Sequence, residues 1–154
     1  MNRIVPVPPL PDLVIASRQR AVPYDHERLS AIVRTALPDC LAVARNLGGP
    51  LAGLPTIECS VVGSRTMAKI HREFLNERGV TDVITFPYGE IFVCATVAAS
   101  RAPEFGHPVT VELALYCIHG LLHLAGHDDL TPADAERMRR EQERILKSAI
   151  GKSR

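Results

Sequence analysis

Two histidines four residues apart, followed by a glycine and an acidic pair, are the part of this 154-residue sequence best suited to chemistry. The stretch reads His119-Gly-Leu-Leu-His123-Leu-Ala-Gly126-His127-Asp128-Asp129. On a helix, residues at i and i+4 lie on one face with Cβ atoms roughly 5–6 Å apart. That separation lets both imidazoles reach one tetrahedral metal ion at roughly 2.0–2.1 Å. Burying both rings in an otherwise apolar helix also demands a partner for each. Gly126 suits the left-handed residue that ends a helix and turns the chain back. Asp129 is then the first candidate for a third ligand, with His127 the alternative. Three protein ligands leave one open position, the arrangement of a catalytic zinc rather than a structural one. One Zn2+, or a similar divalent ion, is therefore expected.

The layout H-x-x-x-H-x-x-G-x-x-D is similar to the ligand spacing of the metzincin peptidases, with aspartate in third place. In those enzymes a glutamate general base follows the first histidine. Here that residue is Gly120. Peptide hydrolysis of that type has no base, and the reading is set aside.

The elements that must position these groups are legible in the periodicity. Val109 to Leu124 is apolar nearly all round, which predicts a buried central helix. Thr131-Pro132 reads as an N-cap and first-turn proline of a last helix with Met138, Ile145 and Leu146 inward. Leu13–Ala16, Thr56–Val62, Val83–Phe86 and Ile91–Cys94 read as strands, the last two joined by Pro87-Tyr88-Gly89. Asp25 is expected to cap a helix that Pro38 kinks or divides. Ser64 is expected to cap another carrying Met67, Ile70, Phe74 and Leu75. Ala95–Ala102 suits a short helix, and the proline-rich residues 1–11 read as irregular. Strands and helices mix without strict alternation. The expectation is one α+β domain over residues 1–154, a small mixed sheet packed against several helices, with the metal site at the C-terminal end of a buried helix.

Composition narrows the function classes. An apolar share of 46% and a charged share of 23% are those of an ordinary globular chain. A formal net charge of +1 excludes a broadly basic nucleic-acid binder, though not a local basic groove. Cys40, Cys59, Cys94 and Cys117 are scattered with no C-x-x-C pair, which suits reduced, buried thiols in a cytoplasmic protein. No apolar run is long enough to cross a bilayer, so no membrane role is expected.

His119 to Asp129 resembles the hallmark H-G-x-L-H-L-x-G-[YF]-D-H of the YbeY family at all but two defined places. Thr81-Asp82-Val83-Ile84-Thr85-Phe86-Pro87 is similar to that family's T-D-V-[LI]-[ST]-F-P segment, and Gly89-Glu90-Ile91 to the G-[DE]-I after it. Glu112 and Met138 also fit, and the resemblance runs from Ile57 to Leu146. It implies an α+β fold, a zinc site and cleavage of single-stranded RNA. The role it implies is maturation of the small-subunit ribosomal RNA 3′ end and ribosome quality control, with small-subunit ribosomal proteins as further partners.

This chain departs from the family pattern at three places. The third histidine is Asp129, and the aromatic two before it is His127, a candidate acid or base. The family's phosphate-facing arginine falls on Leu75, with Arg72 and Arg78 nearby in sequence. Glu112 lies two turns before His119 on the same face, where it could orient a ligand or simply complement the helix dipole. Arg18, Arg20, Arg65, Lys69, Arg72 and Arg78 are the candidate RNA-facing cations. The alternative function is a non-catalytic, metal-containing ribosome-assembly factor.

Overall fold

The computed structural model describes residues 10–153. The irregular segment expected over residues 1–11 lies outside the described residues as far as residue 9. Ten elements follow: β1 (Asp12–Ser17), α1 (His26–Leu47), a 3-10 turn (Pro50–Gly53), β2 (Thr56–Val62), α2 (Ser64–Leu75), β3 (Val83–Phe86), β4 (Glu90–Cys94), α3 (Ala95–Phe105), α4 (Val109–Ala125) and α5 (Pro132–Lys152). The sheet order is β1-β2-β4-β3. β1, β2 and β4 run parallel, and β3 returns antiparallel along β4 as an edge strand. This is the mixed α+β architecture expected from the sequence.

Strand alternation gives the sheet two different faces. On one, Ile57, Cys59, Val61, Ile91 and Val93 join Leu29, Ile32, Leu113, Leu121 and Ile145 in the main core, built by α1, α4 and α5. On the other, α2 covers only a small cluster of Val62, Met67, Ile84 and Cys94. α4 is the axis of the main core, with nearly every side chain buried as its all-round apolar pattern requires. No single helix among the described residues is long and apolar enough to cross a membrane.

Local signals explain most boundaries. Asp25 caps α1 by accepting from Arg28 N–H at 3.0 Å, and Thr131 Oγ1 caps α5 by accepting from Asp134 N–H at 3.1 Å. Two expectations are corrected. Pro38 neither divides α1 nor starts a second piece: one helix runs from His26 to Leu47. Proline removes one backbone hydrogen bond, but Ala36, Leu37, Cys40 and Leu41 around it are buried in the main core and hold the segment helical. Ser64 does not cap α2: Gly63 occupies the cap position in extended backbone and Ser64 opens the helix. All four cysteines are free and buried. Burial, with the charge of Asp39 next, pushes the Cys40 thiol up to about 12, so it packs as an inert apolar group.

Candidate metal centre

α4 ends where two backbones touch. Gly49 N–H donates to Ala125 C=O at 3.1 Å, and a Cβ on Gly49 would come within 2.2 Å of Ala125 backbone. Gly126 closes the helix at φ +116°, a conformation that favours glycine, and a side chain there would also press on Leu47. The chain then reverses through residues 127–131, steadied by Asp128 Oδ1 accepting from Leu130 N–H at 3.2 Å. That reversal carries Asp129 back to the helix face. The donor atoms of His119, His123 and Asp129 all lie within 4.8 Å of one another.

The tautomers are set from outside the pair. His119 Nδ1 faces Gln142 Oε1 at 2.8 Å, and His123 Nδ1 faces the His127 carbonyl at 3.1 Å. Both partners are acceptors, so the proton of each neutral ring sits on Nδ1 and the Nε2 lone pairs are free. Those two Nε2 atoms point at each other across 3.1 Å. Two ligands about 2.0–2.1 Å from a tetrahedral ion would stand roughly 3.3 Å apart, so the spacing fits a metal between them. Asp129 Oδ2 is 4.0 Å from His123 Nε2 and completes the set from the side. Burial, then the neighbouring His119, lowers the pKa of His123, which keeps the ring neutral as a ligand must be. The group could therefore hold a metal ion.

Gly120 is explained by what it faces. A Cβ there would lie 2.7 Å from Ile91 Cγ2 and 3.1 Å from Thr85 Oγ1. Even alanine is crowded against β4, and a glutamate of the peptidase kind has no room. The close approach brings α4 down onto β3 and β4. The cleft over the histidines, about 420 Å³, is lined by Pro50, Val83, Thr85, Pro87, His119, His123 and Leu124. Within it Thr85 Oγ1 is buried without a hydrogen-bond partner among the described residues.

The other sequence candidates are placed as follows. His127 is half-buried and offers its carbonyl to His123. Glu112 is only 1% exposed and accepts from His107 Nε2 at 3.1 Å rather than touching a histidine of the cluster. Asp82 accepts from Val83 N–H and binds Arg101 Nη1 at 2.8 Å. A second cavity of about 190 Å³ places Asp82, Arg101, Glu112 and Tyr116 beside His119 and Gln142. It shares Val83 and His119 with the cleft, so the two adjoin beside the edge strand. Arg18 is tied to Glu58 at 2.8 Å. Arg20, Arg65, Lys69, Arg72 and Arg78 are exposed, and Leu75 ends α2 half in water.

Sequence reasoning missed Gln142 and Arg101. Gln142 carried a faint signal: it lies four after Met138 and three before Ile145, a polar residue on an inward apolar stripe. Arg101 carried none.

The family model described as Endoribonuclease YbeY matches residues 14–150. This chain belongs to the YbeY endoribonuclease family. An Endoribonuclease YbeY of Thermobifida fusca is 33% identical over 147 residues, covering 84% of this chain and 89% of the relative. Another, from Elusimicrobium minutum, is 41% identical over 97 residues, covering 55% of this chain and 68% of the relative. A solution structure of a Thermotoga maritima protein superposes with a TM-score of 0.57 at 23% identity, covering 91% of this chain and 90% of that one, and supports the fold. Family membership makes cleavage of RNA the activity that a YbeY-type groove has to explain.

Proposed function

We propose that this chain is a zinc-dependent endoribonuclease cutting single-stranded RNA in the cytoplasm, acting on ribosomal RNA precursors at the small-subunit 3′ end and in ribosome quality control. The convergence of two Nε2 lone pairs at 3.1 Å, with Asp129 closing the set, carries the reading. Two imidazoles and a carboxylate with a side left open form the donor set of a catalytic zinc. When bound, the ion supplies Lewis acidity toward a phosphate oxygen and toward water.

The protein's own residues do the rest. Gln142 and the His127 carbonyl hold the imidazoles in one tautomer and orientation, as outer partners of ligands commonly do. Val83, Leu124, Pro50 and Pro87 wall the cleft with apolar surface, so charges inside it act in a lower dielectric. His127 stands next to the site as the candidate proton donor or acceptor. Arg101 spends one of its five N–H donors on Asp82 and keeps others for a phosphate passing beyond His119. That would supply the cation that Leu75 cannot. Glu112, held by His107, lines the cavity beside His119.

The test is metal content by mass spectrometry on wild type, His123→Ala and Asp129→Ala, followed by cleavage of single-stranded and duplex RNA. About one zinc per chain, lost in both variants together with single-strand cleavage, is expected. Equal metal content in all three would overturn the ligand set. Leu75 at the arginine position favours a second reading, a non-catalytic ribosome-assembly factor that docks on RNA or a small-subunit ribosomal protein. Metal without any cleavage, but with retained RNA or ribosome binding, would establish that reading.

A further inference from the structure

Beyond the cleft, the edge strand carries a second feature that the metal site does not use. Val83 and Thr85, and Pro87 just past the strand, line the groove over the histidines. Their alternating neighbours Ile84 and Phe86 face the opposite side of the sheet, toward α2. There Phe86 sits at the centre of an aromatic cluster. Tyr88 stacks on it with ring centroids 5.6 Å apart and planes 22° from parallel. Phe74, from the end of α2, meets it edge-on at 5.6 Å, and Phe92 does so at 6.0 Å. Closing the small core under α2 accounts for Phe86 and Phe92. It does not account for Phe74, 65% exposed, or Tyr88, 61% exposed. The Tyr88 hydroxyl donates to Glu90 Oε2 at 2.8 Å and holds the ring in place.

We propose that Tyr88 and Phe74 form a stacking platform for the bases of single-stranded RNA that passes round the β3 edge from the metal cleft. The inference rests on the reading of single-stranded RNA as substrate and names where its unpaired bases go. Three observations favour this occupant. Pro87 lies between Phe86 and Tyr88 in the chain, so the platform and the cleft share one turn and a strand can reach both. Both rings are mostly exposed, and an aromatic stacking surface accepts any base without reading sequence. Arg72 and Arg78 flank Phe74 in the chain, both exposed, and neither has an ion-pair partner among the described residues. The nearby Glu77 is already held by His71 at 2.8 Å. Aromatic rings interleaved with unpaired cations are the recurring surface for single strands.

The sequence contains no tryptophan, so Tyr88→Trp places a lone indole reporter on the platform. A short 2′-O-methyl RNA oligonucleotide, titrated into the metal-loaded protein, should quench that indole while binding at least as tightly as to wild type. Tyr88→Ala and Phe74→Leu should each weaken binding roughly 5- to 150-fold with an unchanged salt slope. The leucine keeps an apolar contact with Phe86 and removes the stacking plane. Arg72→Ala should instead lower the slope by about 1. Wild-type affinity in both ring variants, or an unquenched indole at saturation, overturns the platform alone and points to a protein contact at this patch. No RNA binding and no cleavage by the metal-loaded wild type overturns the substrate reading, and the platform with it.

Discussion

The two faces of the sheet are built from the same alternating strands, yet they are finished differently. On the α4 face, three helices close a continuous core, and the groove appears only where α4 ends on Gly126 and comes down onto β3 through Gly120. On the α2 face, one amphipathic helix covers four buried residues and leaves two aromatic rings in water. A ligand set that must hold three donor atoms within a few tenths of an ångström needs the rigid side. A surface that accepts bases of any sequence does not. The contrast suits the deep face to chemistry and leaves the thin face free to carry contacts, and it can be tested one face at a time.

The largest expected effect is on the thin face. Met67 is fully buried and is the anchor of α2 on the sheet. Met67→Ala should cost about 2–5 kcal/mol in denaturant unfolding while the folded fraction keeps its metal content. Loss of metal in folded Met67→Ala protein would show that the faces are coupled and break the comparison. Next comes Gly120→Ala on the deep face. Its new methyl would meet Ile91 at 2.7 Å, an overpacking worth about 1–3 kcal/mol. Because His119 precedes it on the same turn, metal affinity should fall as well. A variant that is destabilised but binds metal normally would mean that β4 yields and α4 does not.

Gln142→Leu is expected to leave folding nearly unchanged and to weaken metal binding about 10–100-fold, since the partner of His119 Nδ1 is lost. Competition with a chromophoric chelator measures it. Unchanged affinity would assign Gln142 to packing alone.

What the sequence could reveal follows the range of the interactions. The histidine pair, the glycine that ends α4 and the caps Asp25 and Thr131 are local patterns, with cause and effect inside one or two turns. Gln142 and Arg101 reach the groove only because α5 and α3 pack against α4, and nothing in their own neighbourhoods says which element they will meet. Pro38 shows the same limit from the other side. Its local effect is to stop a helix, and burial of the apolar residues around it overrides that effect. The identity of the third donor lies between these cases. Gly126 fixes that the chain turns back, but only the turn through Asp128 and Leu130 decides which of His127 and Asp129 returns to the helix face.

At Thr85 the expected change in stability is small, and its sign matters more than its size. The side chain lines the cleft with both histidines, and its buried hydroxyl has no hydrogen-bond partner among the described residues. An unpaired buried hydroxyl costs stability, whereas an apolar group of the same shape does not. Thr85→Val is nearly isosteric and should therefore leave the protein equally stable or about 1 kcal/mol more stable. If the hydroxyl is kept because bound RNA completes its hydrogen bonding, the same variant should lose kcat/KM on single-stranded RNA with its metal content intact. Gain of stability with loss of activity would mark Thr85 as part of the deep face's working surface. Gain of stability with full activity would leave the hydroxyl without a role in catalysis and confine the chemistry to the residues around the metal.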